Sequence, residues 1–203
     1  MSSTNRSNAR KKHISDYYVT PINKILDFLH EFNKYEDIFV KQGRDKNGRP
    51  YPLILDPCAG GDANHPMSYP VALQQIGIDP DNIITIDIRQ DSRADIKEDY
   101  LKIDCPGDFD VIITNPPFNL AREIIEKALN DVNDGGFVIM LLRLNFFGGK
   151  LRKDMWDRQM PKYAFVHNRR MSFTDDGRTD SIEYMHAVWQ KGYYPEFTKL
   201  KVI

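Results

Sequence analysis

Cysteine is scarce: Cys58 and Cys105 are the only two in 203 residues. Two cysteines build no disulfide framework, and no Cys/His group has zinc-ligand spacing. The five histidines, His13, His30, His65, His167 and His186, share no ligand pattern either, so no metal is expected. No apolar run approaches the ~18 residues of a membrane span. Residues 1–13 lack the apolar stretch of a secretory signal. A reduced, cytoplasmic protein without membrane contact is the expectation. Excess charge of one sign is also missing, with 28 Lys and Arg against 29 Asp and Glu. That excludes a bulk cationic coat for nucleic acid but leaves a local basic face open. Neither G-x-G-x-x-G nor a P-loop occurs, which argues against a dinucleotide or a triphosphate as ligand.

What is present reads as one α/β domain. Residues 1–14 form a polar arm with Arg6, Arg10, Lys11 and Lys12 and are expected to be disordered. Residues 15–203 are expected to fold as a single unit. Thr20 is a candidate N-cap and Pro21 a candidate first helical residue. Ile22, Ile25, Leu26, Leu29 and Phe32 follow with helical spacing. Residues 41–50 read as a polar loop. Short apolar runs at 53–55, 83–86, 111–113 and 137–142 suit buried parallel strands. Between the last two, Ala121, Ile124, Ile125, Ala128, Leu129 and Val132 mark a helix, with Asn119 as cap and Gly135-Gly136 as stop. Strand–helix alternation implies crossover connections and a parallel sheet. Residues 163–167 and 182–189 read as two further strands, with an Asp176-Gly177 turn between them, and these can pair antiparallel.

Three strand ends carry chemistry. Asp56-Pro57-Cys58-Ala59-Gly60-Gly61 follows the first strand, where small residues let a ligand approach the backbone. Asp87 ends the second strand, where a carboxylate can accept both hydroxyls of a ribose. Together they form a nucleoside-binding arrangement. Asn115-Pro116-Pro117-Phe118 ends the third. Two prolines remove two N–H donors and leave an acceptor-rich strand end. The Asn115 side-chain oxygen and the Pro116 carbonyl suit an amino group with two hydrogens, and Phe118 offers a face for a planar base. Holding both hydrogens frees the nitrogen lone pair for attack on an electrophilic methyl group.

The chain resembles the class I S-adenosylmethionine-dependent methyltransferases that methylate amino groups. More narrowly it is similar to the small phage-type DNA N6-adenine methyltransferases, over roughly residues 17–192. Tyr18-Val19-Thr20-Pro21 resembles a leading element at the methionine end of the cofactor. Asp56-Pro57-Cys58-Ala59-Gly60 resembles the cofactor loop. Asp87-Ile88 resembles the ribose acid and its apolar neighbour at the adenine. Asp99-Tyr100-Leu101 resembles an element whose Asp accepts from the cofactor adenine amine. Asn115 to Phe118 matches the catalytic signature, and 141–146 and 173–180 resemble stretches of the phage subgroup. The resemblance implies a Rossmann-like fold, a mostly parallel sheet flanked by helices, with an antiparallel C-terminal strand. It implies S-adenosyl-L-methionine as cofactor and flipped adenine in DNA as substrate, in a bacterial host cell if phage-encoded. Asp62 departs from the family, standing where a third small residue is usual.

Charge along the chain is uneven. From Asp79 to Asp110 there are ten acids and four bases, whereas Arg143 to Lys153 holds four bases and no acid. Arg143, Asn145, Lys150, Arg152 and Lys153, with Phe146, Phe147 and a Gly148-Gly149 hinge, suit clamping of a DNA backbone and support of a flipped base. The same signature also serves cytosine N4, RNA adenine and protein glutamine. Phe at 118 and the subgroup resemblance favour adenine. A non-catalytic nucleic-acid-binding scaffold is the reading from a different class. No separate target-recognition domain is evident, so weak sequence preference, or a specificity partner or second copy, is expected.

Overall fold

The computed structural model describes residues 18–105, 107–173, 179 and 181–203. The N-terminal arm and the Asp176-Gly177 turn lie outside the described residues.

Helix α1 (Ile22–Phe32) buries Ile25, Phe28, Leu29 and Phe32 on one face. Pro21 is not its first residue but its extended N-cap, and Thr20 does not cap it. Residues 41–50, read as a loop, hold part of a small hairpin of β1 (Gly43–Arg44) and β2 (Pro50–Tyr51). The main sheet begins with β3 (Ile54–Asp56), followed by α2 (Ser68–Gln75) and β4 (Ile83–Thr85). Then come β5 (Phe109–Thr114), α3 (Ala121–Asp131) and β6 (Val132–Arg143). The short helix α4 (Lys153–Arg158) precedes β7 (Tyr163–Val166), β8 (Tyr184–Gln190) and β9 (Lys199–Val202).

Helix α3 differs from expectation at both ends. Leu120, not Asn119, is the N-cap, and the helix stops at Asp131, four residues before the first glycine. Gly135 and Gly136 lie inside β6 instead. At Gly136 a Cβ would sit 2.6 Å from the Asp110 carbonyl oxygen, closer than carbon and oxygen can approach. The glycine therefore serves close strand passage, not helix termination.

The seven strands lie in the order β4-β3-β5-β6-β8-β7-β9. Strands β4, β3, β5 and β6 are parallel, with Ile54 opposite both Ile83 and Val111, and Val111 opposite Phe137. Strand β8 runs antiparallel to β6 and β7, and β9 pairs parallel with β7. The antiparallel C-terminal strand is thus β8. A single parallel bridge, Ile86 to Ile96, extends the sheet beyond β4. Because β3 has β4 on one side and β5 on the other, the order in which successive strands are added reverses there. A crevice opens at the carboxyl ends of those strands.

The core is layered. On one face Leu55, Ile112, Val138 and Met140 pack on Ile124, Ile125 and Ala128 of α3. On the other Ile54, Val111 and Ile139 pack on Phe28 and Phe32 of α1 and Leu73 of α2. At the amino-terminal rim, Arg49 clasps Asp110 through Nη2, at 2.9 and 3.0 Å from its two oxygens. Asp110 also accepts from the Leu53 amide and the Asn133 side chain. Among the described residues no helix is long and apolar enough to cross a membrane, and no group of three or more His, Cys, Asp or Glu is placed to hold a metal.

Candidate active site

A cleft opens at the carboxyl ends of β3, β4 and β5. Its walls include Tyr18, Thr20, Pro57, Cys58, Ala59, Gly60, Asp87, Ile88, Asp99, Tyr100 and Asn115 to Phe118. Segments far apart in sequence thus share one cavity. Pro21 and Asp56 are absent from its walls, as are Arg143, Asn145, Lys150, Arg152 and Lys153.

Asp56 lies beneath the loop, fully buried. Its Oδ1 accepts the Thr114 hydroxyl at 2.6 Å and the Cys58 amide at 3.3 Å. Its Oδ2 is buried without a hydrogen-bond partner. Burial, with nearby Asp87 adding, pushes its pKa up to about 7. The same burial pushes the Cys58 thiol up, so Cys58 is a neutral wall residue, not a nucleophile.

Asp87 is set by two amides. Gly60 N–H donates to its Oδ2 at 2.8 Å and Arg89 N–H to its Oδ1 at 2.8 Å. The Arg89 side chain, itself buried, brings Nε to 3.2 Å from Asp87 Oδ1 and donates from Nη2 to the Gly61 carbonyl at 2.8 Å. One guanidinium therefore ties the end of β4 to the glycine loop after β3. Sequence reading missed Arg89, because nothing in its spacing marks a buried arginine. Gly60 and Gly61 have φ of 67° and 71°, a conformation that favours glycine. Ile88, 57% exposed, presents an apolar surface beside Asp87.

Asp62 explains the departure noted in the sequence. Its Oδ1 accepts the Asn64 and His65 amides, and its carboxylate meets His65 Nδ1. Residues 62–65 thus close on themselves as a turn. Beyond it Pro66, Ser68 and Tyr69 reach the cleft wall, none of which sequence reading had selected. Asp99 caps its own short turn through the Leu101 amide and meets Lys102 at 3.3 Å. The Tyr100 hydroxyl donates to buried Asp131 at 2.7 Å, which anchors the ring in the wall.

At the third strand end, Asn115 Nδ2 donates to Thr20 Oγ1 at 3.0 Å. Thr20 thus orients the amide and leaves Asn115 Oδ1 as the uncommitted atom. Phe118 contacts Tyr18 and Tyr184, at 6.4 and 6.0 Å between centroids. The Arg143 guanidinium lies 4.3 Å over the Phe118 ring, so one face of that ring carries a cation.

The segment after β6 was read as an open hinged loop, yet it is folded. Two 3₁₀ turns, Leu144–Phe147 and Lys150–Arg152, lead into α4. Arg152 turns inward, donating to the Phe146 and Gly148 carbonyls. Lys153 pairs with Asp157. Asn145 and Lys150 are exposed.

Behind the cleft, Tyr69 Oη lies 3.0 Å from His186 Nε2, and His186 Nδ1 lies 2.9 Å from His167 Nε2. His186 is in the core, as expected for a histidine on a buried strand.

No protein-family model matches the chain, and no curated protein matches it by sequence. Solved structures do. A putative class I S-adenosylmethionine-dependent methyltransferase from Listeria monocytogenes matches with TM-score 0.56 and 13% identity, over 95% of this chain and 68% of that one. A putative RNA methyltransferase from Pyrococcus horikoshii matches with TM-score 0.57 and 12% identity, over 86% and 87%. The M protein of the type I restriction enzyme EcoKI matches with TM-score 0.59 and 14% identity, over 89% of this chain and 45% of that one. The chain shares the Rossmann-like fold of these structures.

The chemistry of the cleft fits S-adenosylmethionine, the cofactor that the sequence resemblance implies. It combines an orphaned buried carboxylate oxygen beneath it, a glycine turn, an acid at the end of β4 and an apolar neighbour. Those features match an ammonium, a close backbone approach, a ribose and an adenine ring, respectively.

Proposed function

We propose that the protein methylates the exocyclic N6 amine of adenine in DNA. The observation that carries this reading is the Thr20–Asn115 hydrogen bond, which leaves Asn115 Oδ1 to accept beside the Pro116 carbonyl in an acceptor-rich corner. When bound, S-adenosylmethionine supplies an electrophilic sulfonium methyl group. The protein's part is to hold the amine: Asn115 Oδ1 and the Pro116 carbonyl take its two hydrogens, and its lone pair is released from the ring. The methylated ammonium is strongly acidic, so its proton can pass to water and no strong base is required. Asp87 and Ile88 would hold the ribose and adenine of the cofactor, with Tyr100 and the edge of Asp99 alongside. Tyr18 and the Pro57–Gly60 loop would hold the methionine end, with Asp56 beneath the loop fixing it through the Cys58 amide. Phe118 and Arg143 would meet the target base and its backbone.

Support comes from the acceptor geometry and from the restriction-modification subunit among the fold neighbours. Nucleoside mass spectrometry tests the reading. Purified protein and S-adenosylmethionine are incubated with duplex DNA, single-stranded DNA and RNA, beside Asn115→Ala. N6-methyladenine on DNA, lost in the variant by roughly 10²–10³-fold, is the expected result. N4-methylcytosine or product on RNA alone would overturn the base or the polymer. No product with cofactor bound would turn the weight to a protein substrate or a binding scaffold.

A further inference from the structure

We propose that Leu151 is an apolar wedge that enters the DNA base stack and holds open the gap left by the target adenine. The proposal rests on the DNA reading above.

A lone exposed leucine means little by itself. Leu151 is different because its surroundings are built and it is not. The side chain is 85% exposed, while the same segment buries Phe146 and Met155 and packs Phe147 on Trp156. Apolar side chains pack within the same segment, yet Leu151 stays exposed to water. Its backbone is held firmly. Arg122 Nη1 donates to the Leu151 carbonyl at 2.5 Å, and Arg122 grips Asp154 with two bonds of 2.9 and 2.6 Å. On the other side Arg152 staples the turn through the Phe146 and Gly148 carbonyls and lies 4.5 Å over the Phe146 ring. Gly149, at φ 104°, gives Arg152 room to fold in, since a Cβ there would sit 2.9 Å from its Nη2.

The post stands beside the site. Arg122 lies in the first turn of α3, two residues after Leu120, which lines the cleft. The segment leaves β6 at Arg143, whose guanidinium covers Phe118. Exposed Lys150 adjoins the leucine, and the nearby acids Asp154 and Asp157 are each paired with a base. An exposed leucine on a pinned backbone, beside a cation and tied through Arg122 to the helix that follows the cleft-lining Leu120, matches the physics of stack insertion. An extruded base leaves a hole that an apolar side chain can fill, offsetting lost stacking.

The test uses a duplex bearing a site methylated by the wild type, with the target adenine opposite either thymine or cytosine. The A·C mismatch is already unpaired and needs less help to open. Leu151→Ala should lower kcat/KM on the paired duplex by about tenfold or more, and leave the mismatched duplex within about twofold. Leu151→Phe should retain duplex activity, because a wedge needs bulk, not shape. An unchanged unfolding temperature is expected for so exposed a position. Equal loss on both duplexes, or no loss on the paired one, would overturn the wedge alone. Failure of the wild type to methylate any DNA would overturn the wedge together with the DNA reading.

Discussion

The Arg143 guanidinium lies 4.3 Å above the ring of Phe118, joining the end of β6 to the loop after β5. Its Nε is buried without a hydrogen-bond partner. The cation is held by the aromatic face, with no acid paired to it among the described residues, which suits it to meet a phosphate. Arg143→Ala should raise KM for DNA about tenfold and reduce the slope of log KM against log salt by about one. Cofactor affinity, measured by calorimetry, should stay the same. Arg143→Lys should recover part of the DNA affinity, since lysine keeps the charge but not the planar stack.

Thr20 acts on the amine acceptor through Asn115. Thr20→Val removes the acceptor for Asn115 Nδ2, and the amide is no longer fixed with its oxygen outward. A fall in kcat of about tenfold is expected, with KM for DNA little changed. Thr20→Ser should restore kcat, which a merely packing role for the methyl group would not allow. Steady-state kinetics on the three proteins decide it.

Arg89 is the brace of the cofactor loop. Arg89→Met takes the guanidinium away from Asp87 and from the Gly61 carbonyl, so the end of β4 is no longer tied to the glycine loop through it. The cofactor dissociation constant should rise by at least tenfold, while kcat at saturation falls much less. Arg89→Lys should not rescue fully, because one ammonium cannot span both partners with the same geometry. Calorimetry at two cofactor concentrations separates the two effects.

The buried histidine pair makes stability acid-sensitive. Burial lowers the pKa of His167 to about 4, with Lys24 of α1 lowering it further and Asp27 opposing. His186 is held well below its usual range by burial and by His167, and Tyr69 of α2 meets it from the other side. Both folded values lie below the ordinary 6.5. At these two groups the unfolded chain binds more protons, so the stability they contribute is full above about pH 6.5 and lost as pH falls toward 4, while Asp56, raised to about 7, gives a slope of opposite sign over the same range. Each histidine contributes a slope of up to about 1.4 kcal/mol per pH unit in that window. Urea unfolding between pH 4.5 and 7.5 should show it, and His167→Asn should reduce the slope.

Much of the sheet was legible because buried parallel strands are short apolar runs, as at Val111–Ile113. Strand β9 was not, because its Lys-Leu-Lys-Val pattern is exposed throughout and pairs only along one edge. Helix ends were misread where the side chain had another use. Thr20 has the chemistry of a cap but gives its oxygen to Asn115, a partner 95 residues away. Gly135-Gly136 has the look of a helix stop, yet close strand passage demands it. The cleft followed from three strand ends, since each motif sat where a parallel sheet gathers its loops. Arg89, Ser68 and Tyr69 did not, because their roles depend on which segment folds over which. The basic run after β6 was visible as charge, but the division between inward Arg152 and outward Lys150 depends on a fold that no spacing records.

The Arg49–Asp110 clasp and the cleft occupy opposite ends of the same strands, with the hydrophobic layers between them. Robustness and chemistry are therefore written on different rims of one sheet. A mutational scan sorted by melting temperature and one sorted by turnover should return two nearly separate maps, and the residues between the rims, such as Ile112 and Ile139, should be the ones that score on both.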